Sequence, residues 1–179
     1  HSAVRYPISR SRAAYWAGRA ADRLGDEDGA RDWFERAAEF GASYYGQLAA
    51  EHLGIPLPEA MHVEPQPGGI EVVSFKRNEL VRAVFLLNEL GQYDFIKPFI
   101  DRLARLGDDP VHLMLVGGLA LAVNRLDLAT QVGRYAYLRG VHLTSLAYPV
   151  IEVPRDVPEP ALVLSIVRQE SNFYVLARS

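Results

Sequence analysis

The sequence predicts an all-α protein of stacked antiparallel helical hairpins. Apolar residues recur at three- and four-residue spacing along most of its length. Residues that start and stop helices punctuate these runs. Two stretches, residues 17–41 and 116–140, echo each other in layout.

From Arg12 to Leu24, the residues Tyr15, Trp16, Ala20 and Leu24 recur at helical spacing, and Gly25 and Asp26 break the run. A second helix is expected over Asp28–Phe40, with Ala30, Trp33, Phe34, Ala37 and Ala38 on one side and Gly41 as its terminating glycine. Ser43 can cap a third helix, SYYGQLAAEHLG, which Gly54 closes. The stretch IPLPEAMHVEPQPGGIEVV, with four prolines and a Gly-Gly pair, reads as a linker, and EVVSF as a short extended piece. Helices resume near Lys76, with Phe85, Leu86 and Leu90 on one stripe and Gly91 as its break. In YDFIKPFIDRLARLG, Pro98 either kinks the helix or marks its late start. Asp109 and Pro110 form a cap and first-turn pair for PVHLMLVGGLALAV. LDLATQVGRYAYLRG follows Asn124 and Arg125 and is closed by Gly140. A second proline-rich stretch, YPVIEVPRDVPEP, leads into a last helix that starts at Asp156 or at the Pro-Glu-Pro of residues 158–160.

In the echo, Asp28 and Ala30 match Asp127 and Ala129, Trp33 matches Val132, Ala37 matches Ala136 and Gly41 matches Gly140. Small alanines at a helix crossing allow close packing, so each unit reads as an antiparallel hairpin of the tetratricopeptide kind, or as an ordinary helical hairpin. Such units bury their apolar faces by stacking. Three segments are expected: residues 1–58, 59–148 and 149–179.

With 179 residues there is room for one large or two small domains, and a hydrophobic content of 49% is enough for an ordinary core. A net charge of −3 argues against nucleic acid or an anionic membrane as partner. There is no cysteine, hence no disulfide or thiolate metal site. The longest apolar runs, such as LMLVGGLALAV, fall short of the ~20 residues that cross a bilayer, and the first residues carry no apolar core of a signal peptide.

Most catalytic templates are missing: no phosphate-cradling glycine loop, no Gly-x-Ser-x-Gly elbow, no His-Glu-x-x-His. His1, His52, His62, His112 and His142 lack metal-ligand spacing, so neither a metal site nor a cofactor is expected, and His112 reads as a core or rim residue. Trp16, Trp33, Tyr44 and Tyr45 have rings able to stack on a sugar, but their spacing follows the helix stripe and points to hairpin core.

The closing helix is distinct. Residues three and four apart share a face, so Leu162, Ile166 and Glu170 line up, as do Val163, Val167 and Glu170. Ala161, Ser165, Arg168 and Asn172 fall on the other, polar side. This places Glu170 on the apolar side, with Arg168 pointing away. A carboxyl held there loses water, which favours its protonated form, and a protonated carboxyl can act as a general acid. The same pattern also fits a hydrated glutamate at a helix end.

The run RQESNFYVLARS, preceded by AYPVIEVPRDVPEPALVLSIV, resembles the soluble lytic transglycosylases of the bacterial periplasm. The matching residues are Arg168, Gln169, Glu170, Ser171, Phe173, Ala177 and Ser179, with Tyr148-Pro149 similar to the entry into that family's lysozyme-like catalytic domain. YWAGRAADRLGDEDGARDWFERAAEFGASYYGQLAAEHLG resembles the end of the family's helical superdomain, and residues 76–140 its linker domain. The resemblance implies a periplasmic enzyme acting on peptidoglycan glycan strands at the β-1,4 bond between N-acetylmuramic acid and N-acetylglucosamine. In the family one glutamate protonates the glycosidic oxygen, then takes the proton of the muramyl 6-hydroxyl, giving a 1,6-anhydro ring without water. Carried over, Glu170 is that residue and Ser171 a neighbouring hydroxyl that orients acid or sugar; no second catalytic carboxylate is required, unlike a usual glycosidase pair. The family continues after the serine with a Gly-Leu-Met-Gln type segment and most of a lysozyme-like lobe, which this sequence does not contain. The chain is therefore expected to be the scaffold and first catalytic helix of such an enzyme, inactive alone. A helical-repeat binding module without chemistry and a hydrolytic, goose-lysozyme-like muramidase are the other readings.

Overall fold

The computed structural model describes residues 6–58, 63–154 and 159–175. Among these residues the regular structure is ten α-helices and a 3-10 turn, with no strand, so the class is all-α. His1, His62, Asp156, Pro158, Ala177 and Ser179 lie outside the described residues. The chain divides into two compact units between Val63 and Glu64, and residues 149–175 fall within the second.

The first unit holds α1 (Pro7–Arg23), α2 (Glu27–Ala38) and α3 (Tyr44–Leu53). Gly25 takes the left-handed conformation (φ 77°) in the tight turn between α1 and α2, and Asp26 caps α2 by accepting the Gly29 N–H at 3.0 Å. Ser43 caps α3 as expected: its Oγ accepts from the Gly46 N–H at 3.1 Å and donates to Ser11 Oγ at 2.7 Å, which in turn donates to the Ile8 carbonyl. Gly54, left-handed at φ 65°, closes α3. Alanines make up most of the core: Ala14, Ala30, Ala37, Ala38, Ala49 and Ala50 surround Phe34 and Tyr15.

Three expectations for this unit are corrected. α1 starts at Pro7, whose missing N–H costs nothing in a first turn, and its inward stripe is Ser11, Ala14, Tyr15 and Gly18. Trp16 and Leu24 are exposed, as is Tyr44. Trp16 and Tyr44 are thus surface rings, while Trp33 and Tyr45 are half-buried against the core. The spacing rule placed them wrongly because several adjacent aromatic residues satisfy more than one stripe, and the small residues that permit close approach take the interface. Nor does Gly41 terminate α2: the helix ends at Ala38, and Glu39 at the cap is still right-handed.

The second unit holds α4 (Gly69–Arg77), α5 (Glu79–Glu89), a 3-10 turn (Tyr93–Phe95), α6 (Ile96–Ala104), α7 (Pro110–Ala122), α8 (Leu126–Tyr137), α9 (Thr144–Ala147) and α10 (Pro160–Ser171). Its core joins α5 to α8 through Val84, Ile100, Leu113, Val116, Leu128 and Val132, and α9 adds Leu146. Asp109 caps α7, its Oδ2 accepting the His112 N–H at 2.9 Å, with Pro110 in the first turn. Pro98 marks a late start: α6 begins only two residues before it. Gly91 and Gly140 are left-handed at the breaks.

Two expectations are corrected here. EVVSF is helical, lying within α4. The β-branched penalty is only tenths of a kcal/mol per residue, and Phe75 packing on the core, with Glu71 in the first turn and Lys76 and Arg77 in the last, outweighs it. In α5 the inward residues are Val81 and Val84, with Leu80 and Leu87 packed beside them; Phe85 and Leu86, and Leu90 just beyond the helix, are exposed. The run VFLL offers two helical stripes, and pattern alone does not choose between them.

In both echoing stretches the two helices pack on each other, α1 on α2 and α7 on α8. Asp28 and Asp127 each sit in the first turn of the second helix, and Ala30, Ala37, Ala129 and Ala136 are all buried. The match is loosest at Trp33, half-buried where Val132 is fully buried, and at Gly41, which does not cap its helix as Gly140 closes the turn after α8.

Candidate active site

Glu170 sits in the last turn of α10. Glu159 precedes this helix and accepts from the Ala161 N–H, and Pro160 occupies the first turn, so it starts at the Pro-Glu-Pro as the sequence suggests. Its orientation differs from expectation. Leu162 and Ile166 are 56% and 53% exposed, and Glu170 is exposed with them. The three do share a face, but it is the solvent face. Val163, Leu164, Val167, Arg168 and Ser171 are half-buried, so of the line Val163, Val167 and Glu170 only the two valines turn inward. Glu170 is therefore not desolvated by its own helix, and Arg168 points toward the body of the unit instead of away from it.

The reason lies in polar contacts that apolar periodicity does not register. Arg168 Nε donates to the Ala147 carbonyl at 2.9 Å, at the end of α9. Its guanidinium lies 4.5 Å from the centre of the Tyr148 ring, an attractive cation–π distance. On the same face one turn later, the Asn172 side-chain amide donates to the Asp127 carbonyl at 2.9 Å, in the first turn of α8. Asn172 ends α10 in the left-handed conformation (φ 50°), and Phe173 follows with φ 64°. Asparagine tolerates this region; for phenylalanine it costs about 1–3 kcal/mol. Phe173 is buried, which offsets that cost.

Arg125 supports the seat. It forms a two-pronged ion pair with Asp127, both bonds 2.8 Å, and also donates to the Tyr93 carbonyl at 2.8 Å. Hydrogen bonding to Asp127 raises the Arg125 pKa above its ordinary value, against the opposing effect of burial, so the guanidinium stays charged. Its charge also lies 5.6 Å from the centre of the Tyr174 ring. The Ser171 hydroxyl donates to the Val167 carbonyl at 3.0 Å.

Of the sequence-predicted site residues, Glu170 faces outward and Ser171 is half-buried; Arg168, a neighbour in the same run, faces the body. Sequence reasoning missed Arg125, Asn172 and Tyr174. An asparagine just past a helix end is a known left-handed cap signal and points to Asn172; nothing in the sequence pairs Arg125 with Tyr93. His112 is a rim residue, its Nε2 hydrogen-bonded to the Leu103 carbonyl at 2.8 Å. Among the described residues no group of three or more His, Asp and Glu is placed to hold a metal. An apolar cleft of about 250 Å³, lined by Phe75, Phe85 and Met114 among others, includes no residue of α10. Among the described residues no helix is long and apolar enough to cross a membrane. Compared with known proteins, the chain matches no family profile, and no curated protein is significantly similar to it.

Proposed function

We propose that this chain is the helical scaffold and first catalytic helix of a periplasmic lytic transglycosylase acting on peptidoglycan. One observation carries the reading: the Arg-Gln-Glu-Ser run lies on a helix whose inner side is tied down at Arg168 and Asn172 while Glu170 is presented outward beside Leu162 and Ile166. A general acid must reach its substrate, so an outward carboxyl on an anchored helix suits the role. An apolar stripe beside it suits a second wall, which would close a glycan groove and desolvate the acid. Glu170 would protonate the glycosidic oxygen and then accept the proton of the muramyl 6-hydroxyl, one group serving both steps.

The exposure of Glu170 also favours a second reading, a helical-repeat binding module in which this residue is an ordinary surface charge. Glu170→Gln in an enzyme that joins this chain to the facing wall of a lysozyme-like lobe separates the two. The amide keeps the size and loses the proton, so release of 1,6-anhydro products should fall by about 10²–10⁴ or more while peptidoglycan binding persists. A folded, binding Gln variant that still releases anhydro product at near wild-type rate removes the catalytic reading. Product mass distinguishes the muramidase route, since hydrolysis adds water and the anhydro route does not.

A further inference from the structure

We propose that Arg168 and Asn172 are positioning residues for Glu170: two clasps that set the rotation of α10 on α8 and α9. The inference rests on the catalytic reading of Glu170 for its functional half; its structural half stands on geometry alone.

α10 has no fully buried residue, so apolar packing does little to fix how the helix is turned. The directional contacts are side chain to main chain. Arg168 reaches the Ala147 carbonyl and Asn172 the Asp127 carbonyl, both at 2.9 Å. Four residues apart, they lie one above the other on the same face. Glu170 is midway between them in sequence, about 200° around the helix from Arg168 at 100° per residue. Holding the two clasps inward therefore holds Glu170 outward, and rotation of α10 by one residue would swing its carboxyl through about 100°. Both acceptors are main-chain atoms of packed elements: Ala147 is buried and seated against Gly133, and Asp127 lies in the first turn of α8, gripped by Arg125. The left-handed pair Asn172 and Phe173 turns the chain so that Phe173 is buried immediately after the second clasp. Strained backbone of this kind persists where its surroundings over-determine it. A catalytic acid misplaced by about 1 Å can lose 10²-fold in rate, so the clasps would act on turnover without touching substrate.

The test has two arms. The first is amide hydrogen exchange on this chain as wild type, Arg168→Ala and Asn172→Gly. Glycine accepts the left-handed backbone and deletes only the amide clasp. Amides of α10 should exchange at least 10-fold faster in both variants, with α7 and α8 unchanged as the check that the unit is folded. Unchanged protection in α10 overturns the clasp. The second arm measures the same variants beside Glu170→Gln in the enzyme carrying this chain. A positioning role lowers kcat at least 10-fold and leaves KM within about 2-fold, whereas general loss of folded protein lowers the active fraction without changing turnover per folded molecule. If Glu170→Gln is inactive and both clasp variants keep wild-type kcat, the positioning role fails while the catalytic reading stands. If Glu170→Gln keeps wild-type turnover, the catalytic reading fails and the positioning role with it, whatever the exchange data say of the clasp.

Discussion

Substituting Gly133 by alanine tests the seat on which the Glu170 helix rests. A Cβ at Gly133 would stand 2.5 Å from the Ala147 main-chain nitrogen and 2.8 Å from its Cα. Ordinary contact begins at 3.4 Å, so α9 must retreat from α8 by about 0.9 Å. The obstructing atoms are backbone, which cannot swing aside as a flexible side chain does. Overpacking of this kind costs about 2–3 kcal/mol, and the better helix propensity of alanine returns up to about 1 kcal/mol. The net loss is about 1–2 kcal/mol, a fall in Tm of roughly 3–10 °C for a unit of this size. Moving Ala147 also moves the carbonyl that receives Arg168, so α10 should lose exchange protection in the same variant. Gly118→Ala is the control: that glycine lies in α7 with nothing within 4 Å of an added Cβ, and the substitution should stabilise by about 0.5–1 kcal/mol. Thermal unfolding of the pair reads the difference. If Gly133→Ala melts within 1 °C of wild type, or both substitutions shift Tm in the same direction, the inferred close seat of α9 on α8 is wrong.

Other outcomes follow from the same contacts. Asp127→Ala leaves the Arg125 guanidinium, whose side chain is only 13% exposed, without its counter-charge; a loss of about 2–4 kcal/mol by denaturant titration is expected, and a loss below 0.5 kcal/mol counts against the pair. Phe34→Ala removes the large fully buried side chain from an otherwise alanine-rich core; at about 3–5 kcal/mol it should abolish hydrogen-exchange protection in α1–α3, and native protection there would contradict this. Burial lowers the pKa of His142 below the ordinary 6.5, so the unfolded chain takes up its proton first as pH falls. The stability His142 contributes is therefore fully present above pH 6.5 and lost as pH drops through 6.5 toward the folded value. His142→Gln should flatten the slope of Tm between pH 5 and 8, and an unchanged slope refutes the assignment.

The parts of the fold legible in the sequence are those decided locally. Ser43 and Asp109 cap because a short side-chain oxygen at that position meets free N–H groups whatever the rest of the chain does. Gly25, Gly54, Gly91 and Gly140 turn left-handed because glycine alone does so without strain. The choice of helix face was not legible where apolar residues run together. VFLL in α5 and LVLSIV in α10 each carry apolar residues on two sides, and the side that packs is set by partners distant in sequence. In α10 those partners are carbonyls of Ala147 and Asp127, atoms that every residue possesses and no sequence pattern marks. The position of Glu170 on the helix was thus readable, and the direction it faces was not.

That reversal changes what the candidate acid needs. A glutamate buried by its own helix would have an apolar surrounding but no room for a sugar. A glutamate facing outward has room, and must obtain its apolar surrounding from whatever meets Leu162 and Ile166. If Glu170 is the proposed glycosidic acid, its two requirements, access and desolvation, would be met by different surfaces: access by the clasped side of α10, which holds the carboxyl out, and desolvation by a partner surface closing over the stripe. Under this division the acid would acquire catalytic strength only when the groove is assembled, and a scaffold carrying Glu170 alone should release no anhydro product from purified peptidoglycan. Release of such product by the isolated chain would mean that desolvation arises within these residues after all, at a site other than the outer face of α10.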